Sequence, residues 1–215
     1  MTTPVSFTTP RTARYLTLGE PGPATEHVWV CLHGHTQSTA DLADLLQHLA
    51  TPGQVLLLPE ALNRYELPAA GAAAAQTNAA WYAPDSLLAD FADLSTYLDA
   101  LTEQVRAACP PHTPLSVFGY GHGAAAACRW LAGNEVDYTR LVLYAPVFPA
   151  IIDRRATLVA LPERPVLVLS PAEYQSEAAG EGLMQDLLDV GLSATQRLVE
   201  PGPLPLAVFN TDPEE

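Results

Sequence analysis

The sequence predicts an α/β three-layer sandwich, a mostly parallel sheet with helices on both faces, built as one domain across residues 1–215. Three observations predict it. Runs such as HVWVCL, QVLLL and PVLVL are apolar throughout rather than at alternate positions, as in strands buried on both faces. Amphipathic segments with apolar residues three and four apart separate these runs. The 215-residue chain is 48% hydrophobic and only 16% charged, so it can form one substantial core and is neither disordered nor fibrous.

The elements come in a regular order. Arg14–Leu18 reads as an opening strand, and His27–Leu32 as a buried strand ending in His33-Gly34. Ala40–Ala50 carries Leu42, Leu45, Leu46 and Leu49 at helical spacing. Gln54–Leu58 is the next buried strand, stopped by Pro59. Residues 61–86 are rich in Ala, Gly and Pro and are expected to form a loop, with Trp81 and Tyr82 near its end. Its AAGAAAAQ stretch reads as a low-complexity insertion without chemistry of its own. Asp90–Ala108 is the longest helix, with Phe91, Leu94, Leu98, Leu101 and Val105 on one side. Pro114–Phe118 is a strand, succeeded almost at once by a helix over Gly123–Ala132. Leu141–Tyr144 and Pro165–Leu169 are further strands, Gly182–Gly191 a helix, and Thr195–Val199 the last strand. Residues 205–215 form a tail with no specified element, and no internal repeat is present.

Charge and cysteine usage narrow the partners. The net charge is −14 and all ten basic residues are arginine. Such a surface repels phosphate backbones and anionic lipid head groups, so neither nucleic acid nor membrane is expected as a partner. Cys31, Cys109 and Cys128 are odd in number and lack metal-ligand spacing, so no disulfide framework is read. The opening residues have no signal-peptide apolar core, and Leu141–Ile152 is too short and proline-broken to span a bilayer. A cytoplasmic location is the expectation.

Two motifs carry the chemistry. In LSVFGYGHGAAAACRWL a strand runs into Gly119-Tyr120-Gly121-His122-Gly123 and then a helix. The small flanking residues permit the sharp reversal of a nucleophile elbow, G-x-S-x-G, but its tip is Gly121. Leu32-His33-Gly34-His35-Thr36-Gln37 comes directly after a strand, where a loop can supply the second backbone N–H of an oxyanion hole.

On these residues the chain resembles the alpha/beta hydrolases, specifically the small bacterial phospholipase/carboxylesterase group. The resemblance runs from about Arg14 to Pro205. It rests on VWVCLHGHTQ, LLLPEALNR with Trp81 downstream, VFGYGHGAAAACRWL, LVLYAPVFP and PVLVL, in the family's order and spacing. It implies a sheet of eight strands or slightly fewer, and carboxylic ester hydrolysis through Ser, His and Asp. Carried over position by position, the nucleophile falls on Gly121. The acid falls on Tyr174, with Glu173 beside it in Ser170-Pro171-Ala172-Glu173-Tyr174. The histidine falls at about Pro203, in the turn Glu200-Pro201-Gly202-Pro203-Leu204, and no histidine occurs after His122. With base, acid and nucleophile all replaced, hydrolysis is expected to be absent or very weak, since losing a serine triad costs about 10⁶-fold in turnover.

Other candidates have blander roles open to them. His33 is expected to order its loop by hydrogen bonding. The backbones of His35 and His122 are expected to face one another like an oxyanion hole, and either imidazole could act as a base. Two imidazoles make an incomplete zinc site, so neither a metal nor a cofactor is expected. Thr36, Ser38 and Ser170 read as turn residues, Cys31 and Cys128 as small buried hydrophobes, and Glu173 as an exposed charge. His33, Gly34, Thr36, Trp81, Tyr120 and Phe148 are expected to line a pocket, with Tyr82 near its mouth. Three functions remain open: a non-hydrolytic relative binding a small apolar or ester-like ligand or a partner, a weak or altered ester hydrolase working through His122 or His35, and a structural or inactive subunit, as in a homodimer or a pair with an active relative.

Overall fold

A computed structural model of the chain describes residues 5, 7–35, 37–67, 76–133, 135–171, 181–206 and 209. Seven strands form the main sheet: β1 (Tyr15–Leu18), β2 (His27–Leu32), β3 (Gln54–Pro59), β6 (Leu115–Tyr120), β7 (Arg140–Tyr144), β8 (Val166–Pro171) and β9 (Ala194–Val199). Their order is β1-β3-β2-β6-β7-β8-β9. Only β1 runs antiparallel to its neighbour, and every other pair is parallel. The expected fold class is the one observed.

Side-chain alternation explains the layers. From β2, Val28, Val30 and Leu32 face one core, and Trp29 and Cys31 the other. The first core is covered by α2 (Leu87–Arg106), α3 (His122–Leu131), α4 (Arg154–Val159) and α5 (Glu181–Asp189). The second is covered by α1 (Thr39–Leu46), the 3₁₀ turn Gln47–Leu49, and Leu204 and Phe209 of the tail. Among the described residues, no helix is long and apolar enough to cross a membrane.

Three departures from the sequence reading matter. The segment 61–86, expected to be loop, contains an antiparallel hairpin of β4 (Asn63–Leu67) and β5 (Gln76–Ala80), separate from the main sheet. The alternation in NRYEL is confined to Tyr65 and Leu67 and QTNAA has none, too little pattern to mark a pair of strands. Helix α4 is also absent from the sequence reading. It is only six residues long and starts because the Asp153 carboxylate accepts the Ala156 N–H at 2.9 Å. Helix α2 begins at Leu87, earlier than Asp90, because the Asp90 carboxylate holds the turn before it, accepting from Ala83 N–H at 2.7 Å and Ser86 Oγ at 2.8 Å.

At the amino ends of the central strands lies a polar cluster. His27 Nε2 is 2.9 Å from Ser116 Oγ, which lies 3.2 Å from Thr139 Oγ1. The His27 ring stacks on Trp29 at 5.3 Å, and the Arg140 guanidinium lies 4.8 Å over the same indole while donating to Phe209 O. Burial, helped by the Arg140 charge, pulls the His27 pKa down to about 4. The folded protein therefore refuses a proton that the unfolded chain accepts below about 6.5. Stability from this source is complete above pH 6.5 and falls steadily as the pH drops toward 4. Buried His33 and half-buried His122 act in the same direction. Melting temperatures recorded from pH 7.5 to 4.5 should fall, and a His27→Gln variant should show a visibly shallower decline; an unchanged slope would remove His27 as a cause.

Candidate functional site

In-register pairing brings the two motifs together. Leu32 pairs with Gly119 and Tyr120 with Tyr144, so the loop after β2, the turn after β6 and the loop after β7 leave the sheet side by side. Between β6 and α3 the chain reverses through Gly121 alone, at φ 55° and ψ −119°. That backbone is pinned from both sides. Gly121 N–H donates to Tyr144 O at 2.9 Å, and Gly121 O accepts from Ala124 N–H at 3.1 Å and Val147 N–H at 3.0 Å.

The three glycines of the turn do different jobs. A Cβ at Gly119 would sit 2.6 Å from Ala124 Cα, and one at Gly123 would sit 2.5 Å from His33 O and press on Leu32 O as well. Both contacts are with main chain, which cannot step aside. At Gly121 the nearest atom to such a Cβ is Gly34 Cα at 3.7 Å, so a side chain has room and only the positive φ opposes it.

His33 holds the facing loop. Its ring is buried, donates from Nδ1 to Gly34 O at 2.7 Å and accepts the Ala61 N–H on Nε2 at 3.1 Å. The Trp81 indole N–H donates to His33 O at 2.8 Å, and the two rings lie 4.8 Å apart. Burial holds the His33 pKa below its ordinary value, so a neutral imidazole with both nitrogens engaged is the ground state. His33 and Trp81 thus form the layer beneath the loop. The aromatic ring of Tyr120 lies against Gly34, where an added Cβ would meet it at 2.6 Å.

Above that layer four rings form a row. Tyr65 stacks on His35 at 5.6 Å and donates from Oη to His35 O at 2.8 Å. His35 lies 5.1 Å from His122, and His122 stacks on Tyr82 at 6.1 Å. Tyr82 continues to Phe91 at 5.2 Å. Burial, and then the neighbouring His35, lowers the His122 pKa, so this half-buried imidazole is neutral beside Gly121. As the first residue of α3, His122 has a backbone N–H with no partner inside the helix.

The remaining candidates have definite places. Pro203 is exposed on the turn after β9 and shares with Tyr120, Tyr144, Gln37 and Asp41 a cleft of about 520 Å³. Phe148 is half-buried against the core of α2 to α5. Ser38 caps α1, its Oγ accepting the Asp41 N–H at 3.1 Å, and buried Ser170 accepts from Gln196 Nε2 at 3.0 Å. Cys31 and Cys128 are buried, and burial pushes both thiols up, Cys128 to about 12. Thr36, Glu173 and Tyr174 lie outside the described residues. Among the described residues no group of three His, Cys, Asp or Glu side chains is arranged to hold a metal. Tyr65 and Asn78 escape the sequence reading because both fall in the segment expected to be loop; the N-R-Y-E-L stretch before AAGAAAAQ is the only available signal.

The glycine geometry sets an order of tolerance. Gly119→Ala and Gly123→Ala should each cost more than about 3 kcal/mol, as overpacking against rigid backbone does at its upper end. Gly121→Ala should cost less, about 1–3 kcal/mol, the penalty of holding an L-residue at φ 55° and ψ −119°. Urea unfolding of the three variants measures this, and equal losses at 121 and 123 would contradict it.

No protein-family model matches the chain, and no curated protein matches it in sequence. Solved structures do match in shape. The esterase PE8 superposes with a TM-score of 0.65 at 17% identity, over 89% of this chain and 91% of its own. A phospholipase/carboxylesterase from Dyadobacter fermentans gives 0.59 at 16% identity, over 89% of each chain. Acyl-protein thioesterase 2 from Zea mays gives 0.56 at 17% identity, over 95% of this chain and 94% of its own. With the seven-stranded sheet, the glycine turn after β6 and the loop after β2 all in place, the chain has the alpha/beta-hydrolase fold.

Proposed function

We propose that this chain is a non-hydrolytic protein on an esterase-like fold, which uses the elbow to bind a small, largely apolar or ester-like ligand. The observation that carries this reading is Gly121: a residue without a side chain stands at the tip of a fully formed elbow. The position expected for the base holds Pro203, an exposed residue with no proton to move. Acyl transfer by the serine route needs a nucleophile, a base that takes its proton and an acid that fixes the base's tautomer. Neither Gly121 nor Pro203 performs its part.

Binding needs less. The tyrosine rings and the neutral His122 around the elbow, with the partly exposed Val147 and Ile151 on the loop and turn after β7, favour an apolar body. The N–H groups at the start of α3 favour a carbonyl or carboxyl oxygen at one end of the ligand. The neighbours in shape include esterases and an acyl-protein thioesterase, which supports an acyl or ester-like ligand.

A second reading rests on His122. Its neutral imidazole beside the space at Gly121 is suited to act as a base toward a bound water, which would give weak, altered ester hydrolysis. One assay separates the two readings. Purified protein should turn over p-nitrophenyl acetate no faster than heat-denatured protein, and Gly121→Ser should stay at that level. Turnover that survives purification and disappears in His122→Ala would establish the second reading and overturn the first.

A further inference from the structure

Two buried polar side chains, Tyr82 of the row and Asn78 of β5, carry polar atoms without partners among the described residues. Asn78 is 2% exposed, and neither Nδ2 nor Oδ1 has a hydrogen-bond partner. Tyr82 is 8% exposed and its Oη is likewise unpartnered. Such groups cost folding free energy, because water satisfied them in the unfolded chain.

Their positions are not scattered. Asn78 on β5 is paired directly with Tyr65 on β4, and directly opposed residues of an antiparallel pair project from the same face. Tyr65 uses that face to stack on His35 and to bond its carbonyl, so Asn78 projects toward the same loop. Tyr82, four residues further on, ends the row by stacking on His122. The inner members, Asn78 and Tyr82, are buried; the outer pair, His35 and Tyr65, is exposed or half-buried. That outer pair is joined by one ring stack and the Tyr65–His35 hydrogen bonding, a light closure.

We propose that Asn78 is the recognition group of a carboxamide subsite beside the elbow, closed in the free protein by the His35–Tyr65 pair. This rests on the reading of the elbow as a binding site and names the ligand's polar group. A carboxamide answers both orphaned atoms at once: its carbonyl accepts from Asn78 Nδ2, and its N–H donates to Asn78 Oδ1. A carboxylate cannot, because it would set an anionic acceptor against Oδ1. The flanking tyrosine and histidine rings suit a flat group attached to the amide. Closure by the outer pair lowers the apparent affinity by the fraction of time the pair is shut.

The test is calorimetric titration of the whole chain with benzamide, benzoate and toluene. Benzamide should bind saturably and at least tenfold more tightly than either of the others. Asn78→Leu should weaken benzamide at least tenfold while raising the melting temperature of the free protein, since it removes the orphaned amide. Tyr65→Ala, which removes the closure, should tighten benzamide. Should Asn78→Leu fail to fold, selective ¹⁵N labelling of asparagine in the unsubstituted chain reads the same contact, through a benzamide-dependent shift of a side-chain amide that benzoate does not produce. No benzamide binding, equal binding of the three probes, or benzamide binding unaffected by Asn78→Leu would each overturn the subsite. The outcome is separable from ester turnover: an inert protein that ignores benzamide loses only the subsite, and an active esterase that binds benzamide loses only the non-hydrolytic reading.

Discussion

The close crossing of α3 over the end of β2 is the constraint on which the rest of the site depends. Main-chain atoms of Gly123 lie so near Leu32 O and His33 O that no side chain fits between them. Ala124–Ala127 continue the contact, all fully buried, so the helix lies against the sheet with little side-chain spacing. Because β2 and β6 are paired in register up to Leu32 and Gly119, this crossing also sets the distance between the two loops at their ends. The ring contact of His35 with His122 is its direct result. His33 extends the constraint by tying Gly34, Ala61 and Trp81 to one buried residue.

Charge plays a different part from what −14 suggests. Asp90 and Asp41 are committed to local geometry, Asp90 to the turn before α2 and Asp41 to the start of α1. His33 and His122 are kept from charging chiefly by burial. The elbow therefore presents rings and main-chain dipoles within an acidic protein. Its discrimination between ligands rests on hydrogen-bond complementarity and shape more than on long-range attraction.

How much of this is legible in the sequence depends on what stabilises each element. The central strands are buried on both faces, so their apolar runs are written in the sequence without ambiguity. The elbow is legible because close approach demands small residues at fixed spacing, and Gly119 and Gly123 supply them. The β4–β5 hairpin is not legible, since it is anchored by Tyr65 on His35 and, just beyond β5, by Trp81 on His33. Those anchors are contacts between distant segments, and NRYEL and QTNAA carry no local pattern that announces them. The row Tyr65–His35–His122–Tyr82 is hidden for the same reason, being assembled from four segments whose order in space the sequence does not spell out.

The pinning of the elbow has an evolutionary consequence. Every bond that fixes residue 121 is made by its own main-chain N–H or C=O, to Tyr144, Ala124 and Val147. Selection for a folded protein therefore reads the side chain at this position only through the cost of its positive φ, a backbone that His112 and Ala145 also adopt in this fold. On such a scaffold, the nucleophile can be gained or abandoned by a single codon while the architecture drifts independently. A lineage can carry the shape of an enzyme long after, or before, it carries the reaction.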